Sequence, residues 1–385
     1  MRKEFLSFSP PLIGPDEVAE VVDTLRSDWI TTGPKTKRFE SEFAAAVGAR
    51  AALAVSSATD AMLVALAAMG VKPGDEVVTS TNTFCSTVHV IEHLGAKPVL
   101  VDVEADTLNM DPQAVDRAIT PRTKVLMPVH VYGHPCDMDA LLDIAARHGL
   151  KVLEDAAHAF PAAWRGRPVG SLGDVTAFSF YATKNLTTAE GGMLTGDPEI
   201  VAQARLWSLH GMSRDAYKRY SEEGSWYYEV VLPGFKCNMT DIQASLGLKQ
   251  LPRMAEYQAR RRKVVGLYRA AFADEEALEL PAERPEVEHA WHLYVLRLRP
   301  GTLRIDRGRF IEELKARNIG SSVHFIPIHL HPYYRDRYGY KAGDFPVALS
   351  NYERMLSLPL NPRLSERDAM DVAEAVLDIV EKFRA

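Results

Sequence analysis

Between about residue 50 and residue 200, short apolar runs alternate with stretches whose apolar positions recur at helical spacing. Ala51–Val55 leads into a helical pattern over Asp60–Met69, and Glu76–Thr79 into one over Phe84–His93. Lys97–Asp102 and Lys124–Val129 come next, then the helical pattern Asp137–His148, then Lys151–Glu154, Val175–Phe180 and Met193–Thr195. Turn signals punctuate the series at Lys72-Pro-Gly-Asp75, Leu94-Gly-Ala96 and His148-Gly-Leu150. Apolar strands separated by helices predict βαβ units and a mostly parallel sheet buried on both faces. Such sheets bind ligands beyond the carboxyl ends of their strands, so chemistry is expected at the polar residues just after each strand.

Past residue 250 the pattern changes. Arg253–Phe272 reads as a long basic amphipathic helix, and its run Arg260-Arg-Arg-Lys263 suits a solvated face. Asp274–Val287 is acidic and holds prolines, a turn into a strand at His292–Leu298. A helix at Asp306–Ala316, strands near Ser322–Phe325 and Met355–Leu358, and a closing helix at Ser365–Arg384 complete a small α+β unit. The expected fold class is α/β, with a large domain over residues 1–250 and a smaller C-terminal α+β domain over residues 251–385.

Composition narrows the function classes. The chain has 385 residues, 46% hydrophobic and 25% charged, as in ordinary globular proteins, and is long enough for one large core plus a second unit. Its 45 Lys+Arg against 51 Asp+Glu give a formal net charge of −6. That argues against non-specific binding to nucleic acid or to an anionic membrane, while leaving room for a local basic pocket. Cys85, Cys136 and Cys237 are far apart and odd in number, so they draw no disulfide framework and no Cys-x-x-Cys pair. The opening residues lack the apolar run of a secretory signal, and no apolar stretch is long enough to span a bilayer. A cytoplasmic protein is expected.

Asp155 follows the strand Lys151–Glu154, at the floor of the expected crevice. It suits either a helix N-cap or a buried carboxylate kept ionised by a cationic partner. Lys184 comes after the strand ending at Ser179, among small and apolar neighbours and ahead of Glu190-Gly-Gly. Burial lowers a lysine pKa and frees the amine as a nucleophile for Schiff-base chemistry. A strand-end aspartate with such a lysine meets two needs of pyridoxal phosphate (PLP), a carboxylate for the pyridinium nitrogen and an amine for the aldehyde. Ser56-Ser57-Ala58-Thr59-Asp60 lies between the first core strand and a helix. Hydroxyls and free N–H groups there suit a phosphate as well as they suit an ordinary cap. Ser179 is a second hydroxyl of the same kind, and Phe84 suits either stacking on a ring or core packing.

Asp155-Ala-Ala-His158, Phe178-Ser-Phe-Tyr-Ala-Thr-Lys184-Asn-Leu, Glu190-Gly-Gly and Gly234-Phe-Lys-Cys-Asn238-Met-Thr-Asp-Ile-Gln243-Ala, in that order, resemble the DegT–DnrJ–StrS sugar aminotransferases. The likeness runs from about Pro11 through the last helix. It implies the aspartate-aminotransferase fold (PLP fold type I), with Lys184 as the lysine bonded to the cofactor, Asp155 on the pyridinium nitrogen and His158 near the cofactor's O3′. Phe84 falls where the family places a stacking aromatic, and Ser57, Ala58, Thr59 and Ser179 fall at its phosphate cup. Asn238 matches an asparagine that reaches the phosphate from the partner subunit, which implies a homodimer with shared active sites. Relatives with histidine in place of the lysine are dehydratases, so Lys184 favours transamination. The implied reaction moves an amino group from L-glutamate to the keto carbon of a nucleotide-linked keto-deoxysugar. The sequence around Lys184 is closest to members that aminate C4. The alternatives are C3 regiochemistry, another PLP reaction on a sugar, or a non-catalytic regulator that keeps the fold.

For the substrate, Arg214, Lys218 and Arg219 suit a diphosphate, and His324, His329, His331, Tyr333 and Tyr334 suit sugar hydroxyls. Each also suits solvated surface. In His324-Phe-Ile-Pro-Ile-His329-Leu-His331 a proline interrupts the spacing and no acidic or Cys ligand lies nearby, so no metal is expected. His130-Val-Tyr-Gly-His134 is expected as crevice lining or as satisfied loop histidines.

Overall fold

The computed structural model describes residues 2–212 and 227–385. Two helices come first, α1 over Pro15–Arg26 and α2 over Pro34–Ala46, each opening on a proline whose missing N–H is harmless in the first turn. The strands β1 (Ala52–Val55), β2 (Glu76–Ser80), β3 (Lys97–Val101), β4 (Thr123–Met127) and β5 (Lys151–Asp155) follow, with helix α3 (Ala58–Ala68) after β1 and α4 (Cys85–His93) after β2. A short hairpin, β6 (Ala163–Trp164) and β7 (Arg167–Pro168), precedes β8 (Val175–Ser179) and β9 (Gly192–Gly196).

Seven strands form the central sheet in the order β1-β9-β8-β5-β4-β2-β3. The neighbours β3-β2-β4-β5-β8 are parallel, whereas β9 runs antiparallel to both β8 and β1. The sheet is mostly parallel, as the alternation predicts. No helix lies between β8 and β9, so the chain returns alongside β8 instead of crossing over. Helix α3 is buried at Ala58 and at every position from Ala61 to Ala67, as its nearly unbroken apolar sequence requires.

The C-terminal part packs the helices Met254–Phe272, Arg307–Ala316 and Glu366–Phe383 on a three-stranded sheet of β10 (Leu278–Glu279), β12 (Tyr294–Leu298) and β13 (Met355–Leu358). Tyr268, Phe272, Tyr294, Phe310 and Val376 belong to its core. Strand β11 (Val287–Glu288) instead pairs with β6. In return Leu6 bridges to Ile319, and Arg2 pairs with Asp368 and Asp371 at 2.6 and 2.7 Å. Each part therefore lends a segment to the other. The strand expected near Ser322–Phe325 is only a single bridge, Ser322 to Ser357, because the chain then leaves the sheet and carries His324 and Phe325 toward a pocket.

Helix α2 is capped from a distance. Asp241, 1% exposed, accepts the N–H groups of Gly33, Lys35 and Thr36 at 2.8, 3.0 and 2.8 Å and the Thr36 hydroxyl at 2.6 Å. Asp241→Ala leaves these donors without their acceptor and should lower stability by about 2–4 kcal/mol. A urea midpoint equal to that of the parent chain would remove this role.

Candidate active site

A pocket of about 480 Å³ lies beyond the carboxyl ends of β1, β4, β5 and β8, with His324 and Phe325 contributing to its wall. It gathers Ser57, Ala58, Thr59, Phe84, Asp155, His158, Ser179, Lys184 and His324, as expected from the sequence.

At one end stands the amino terminus of α3. Ser57 is the N-cap, its Oγ accepting the Asp60 N–H at 3.0 Å, while the hydroxyls of Ser56 and Ser57 donate to Asp60 Oδ2 at 2.5 and 2.8 Å. The amides of Ala58 and Thr59 precede the first helical hydrogen bond and have no acceptor in their own helix. Strand β9 closes the cup: Gly192 pairs with Val55 on one side and Ser179 on the other. A Cβ at Gly192 would lie 2.3 Å from Ser57 C and 2.6 Å from Ala58 N, so only glycine allows this approach. Small residues, hydroxyls and a helix dipole make a receptor for phosphate.

Asp155 ends β5 and is 4% exposed. The Thr87 hydroxyl donates to Oδ2 at 2.7 Å and the Ala157 N–H to Oδ1 at 3.1 Å. Among the described residues no cation is paired with it. A fixed, buried carboxylate without a counter-ion fits the protonated ring nitrogen of PLP.

Lys184 sits on the loop between β8 and β9. Its N–H donates to Tyr181 O at 2.9 Å, and the loop is closed by Thr188 N–H to Phe180 O at 2.9 Å and Phe180 N–H to Gly191 O at 2.8 Å. The side chain is half-buried. Desolvation lowers its amine to about 8, against the opposing pull of Asp155. A sizeable neutral fraction near pH 8 is what an amine needs to attack an aldehyde.

His158 accepts the Tyr132 N–H on Nδ1 at 3.2 Å. Burial, then the charges of Lys184 and His324, holds its pKa well below the usual imidazole range. The ring is therefore neutral, with its proton on Nε2. Phe84, the N-cap residue of α4, is 56% exposed on the pocket wall, a free stacking surface rather than part of the core. His324 pairs through Nδ1 with Ser357 Oγ at 2.8 Å, and burial, then Lys184, lowers it to about 4.

Other expected residues lie elsewhere. His329 is 1% exposed and does not line the pocket: Nδ1 meets Thr81 Oγ1 at 2.8 Å and Nε2 meets Ala342 O at 3.2 Å, so both ring nitrogens are used inside the protein. Tyr334 is buried in an apolar cluster, and the Tyr333 hydroxyl donates to Glu92. Asn238 bridges to Val55 at the end of β1, donates to Thr32 Oγ1 at 2.6 Å and accepts from the Lys236 ammonium, outside this chain's pocket. Arg214, Lys218 and Arg219 lie outside the described residues. His130 lines the pocket and is fully buried, Nε2 on Glu154 Oε2 at 2.8 Å and Nδ1 accepting the Cys136 N–H at 3.1 Å. The sequence reading missed Thr87, Tyr132 and His292. The first lies one helical turn beyond Phe84, a spacing that could have signalled it; the other two carry no local signal.

The profile of the DegT/DnrJ/EryC1/StrS aminotransferase family matches residues 11–377. The chain is 54% identical to the spore coat polysaccharide biosynthesis protein SpsC of Bacillus subtilis over 381 residues, 98% of each chain. Among solved structures, the PLP form of the putative sugar aminotransferase Spr1654 of Streptococcus pneumoniae superposes with a TM-score of 0.92 at 37% identity, covering 98% of this chain and 99% of that one. The same protein is also known in a PMP form. DesV of S. venezuelae superposes with a TM-score of 0.88 at 35% identity, covering 98% and 99%.

The depressed lysine pKa has a direct consequence. Lys184 is an ammonium below about 8 and a free amine above it. Acylation of Lys184 in the apoprotein, followed by mass spectrometry, should rise with a midpoint near that value, whereas exposed lysines titrate at about 10.4. Because Asp155 raises the Lys184 pKa, Asp155→Asn should move the midpoint lower. A midpoint near that of exposed lysines would remove the desolvated-amine description.

Proposed function

The chain belongs to the DegT/DnrJ/EryC1/StrS aminotransferase family of PLP-dependent sugar enzymes, and from that premise we propose that it carries an amino group from L-glutamate to the C4 keto carbon of a nucleotide-linked keto-deoxysugar. The products are an NDP-amino sugar and 2-oxoglutarate. The observation that carries this reading is the desolvated Lys184 amine beside an unpaired Asp155 and a helix-terminal anion cup. When bound, PLP supplies an aldehyde that takes up the amino group and a conjugated ring that accepts the electron pair. Lys184 Nζ would bond the aldehyde and, as a free amine, would carry the proton at the amine-bearing carbon. Asp155 holds the proton on the ring nitrogen. The first amides of α3, with Ser57, Thr59 and Ser179, would receive the phosphate, and Phe84 would offer its exposed ring for stacking. His158 would offer its Nε2–H to the ring hydroxyl.

His324 contributes a polar group to the sugar side of the pocket, and we assign the diphosphate to Arg214, Lys218 and Arg219. Similarity to SpsC supports a role in polysaccharide biosynthesis, and three free cysteines suit the reducing cytoplasm. The active unit is a homodimer with shared sites, Asn238 serving the partner's phosphate cup. An apolar surface on and after α1, with Val18, Leu25 and Ile30 more than half exposed, supports cover by a second copy.

Two experiments test this. Nucleotide-linked 4-keto and 3-keto sugars, incubated with PLP and glutamate and read by mass spectrometry, should show a one-amino-group product from the 4-keto series. Amination of 3-keto sugars alone would overturn C4, and no amination at all would overturn the sugar reading. Mixing Lys184→Ala with Asn238→Ala chains should raise activity above that of either variant alone, because one site of the mixed dimer is then intact. Activity no higher than the average of the two would rule out shared sites.

A further inference from the structure

Two imidazoles meet in the wall of the pocket, one of them reaching in from the C-terminal half of the chain. The ring of His292 lies with its centroid 4.4 Å from that of His158, and both line the pocket. The His292 N–H donates to Tyr132 O at 3.0 Å, and its Nδ1 lies 3.2 Å from Asn185 Oδ1. Asn185 donates through Nδ2 to Ala290 O at 2.7 Å, so its Oδ1 is the acceptor and His292 carries its proton on Nδ1. The residue beside Lys184 is thus tied by both ends of its amide to the segment 290–292. His158 holds the opposite tautomer, its Nδ1 occupied by the N–H of Tyr132, the same residue whose carbonyl holds His292.

The segment bearing His292 is held firmly enough to act as a reference. Trp291 adopts φ 48°, an uncommon conformation for a bulky residue, and its ring stacks 3.9 Å from that of His289. Arg261, 1% exposed, has no carboxylate partner among the described residues and donates to the carbonyls of Trp291 and Leu360 at 3.3 and 2.9 Å. Ala290 N–H donates to Gly133 O at 2.9 Å. Gly133 has φ +99°, and a Cβ there would come within 3.0 Å of the Ala290 Cβ, the His158 carbonyl and the His292 nitrogen.

We propose that His292 is a positioning residue for the reaction: through the Asn185 amide and the face of His158, it sets the Lys184 loop against the neighbouring imidazole and so registers the C-terminal part on the reacting amine. This rests on Lys184 being the lysine that bonds the cofactor. Burial, then the charges of His158, Lys184, Arg261 and His324, holds His292 well below the usual imidazole pKa, so the link to Asn185 is a neutral hydrogen bond near pH 7.

His292→Phe keeps an aromatic ring against His158 and removes the Nδ1 proton, whereas His292→Asn returns an amide N–H to nearly the same place. In the PLP-loaded enzyme, His292→Phe should lower kcat for conversion of the cofactor by glutamate roughly 10- to 100-fold with KM little changed. It should also shift the pH midpoint of the cofactor's visible absorbance and the pH midpoint of Lys184 acylation in the apoprotein. His292→Asn should recover most of the loss, and combining His292→Phe with Asn185→Leu should cost no more than the worse single change. If the parent enzyme itself fails to convert with glutamate, the lysine assignment falls and this proposal with it. If the parent converts and His292→Phe matches it in rate and in both midpoints, or if the two single losses multiply, the proposal alone is overturned. Should His292→Phe not fold, His292→Asn and Asn185→Leu decide: loss in the second but not the first supports the link, and parent-like rates in both overturn it.

Discussion

Asp155 and Lys184 stand at the same end of the sheet, near enough for the aspartate's charge to act on the lysine and yet not joined as an ion pair. Burial lowers the Lys184 pKa more than Asp155 raises it. A closed pair would have stabilised both charges and removed the amine as a nucleophile. The separation is set by the sheet. Strand β5 ends at Asp155, which lies opposite Ala177 of β8, and β8 runs on into the loop that carries Lys184. Thr87 and the Ala157 N–H hold the Asp155 oxygens, while Phe180, Tyr181, Thr188 and Gly191 close the lysine loop with backbone hydrogen bonds. Register and backbone hydrogen bonding, rather than mutual attraction, keep the two groups in place.

The histidines around this pair follow the same logic. His158, His292 and His324 are desolvated and neutral, so each acts as a donor or acceptor of fixed direction and none adds a charge. His158 is oriented by a backbone N–H, His292 by an asparagine amide and His324 by the Ser357 hydroxyl. Neutral imidazoles leave the electrostatics of the pocket to Lys184, Asp155, the helix dipole and the exposed Glu190 in its lining.

The seven strands of the central sheet were legible because each is an apolar run followed by a turn, and β5 and β8 differ from their expected ends by one residue, whereas the short hairpin of β6 and β7 was not read. The helices Pro15–Arg26, Pro34–Ala46, Pro112–Ala118, Pro332–Tyr338 and Pro346–Arg354 were not read, although each begins with proline. Proline there marks a helix start, and reading it as a breaker hides the element. Asp155 and Lys184 were singled out by the rule that ligands lie beyond strand ends, and both line the pocket. His292 escaped that rule, since it precedes β12 and acts through a side chain more than a hundred positions earlier. His329 was over-read for a related reason: a histidine in a polar loop suggests a ligand contact, and nothing local reveals that Thr81 and Ala342 already hold both its nitrogens.

The close approach of Gly192 to Ser57 bears on redesign of the cup. With backbone atoms where a Cβ would be, the clearance at this end of the pocket is fixed by the spacing between β9 and the start of α3, and no side chain remains to be trimmed. Exchanging Ser57 or Thr59 can retune donors, yet it leaves that clearance untouched. Making room for a bulkier anion would mean shifting a whole strand that is hydrogen-bonded on both sides. Among descendants of this chain, the outline of the anion receptor should therefore drift far more slowly than the sugar side of the same pocket, where His324 and Phe325 arrive on irregular chain outside the sheet.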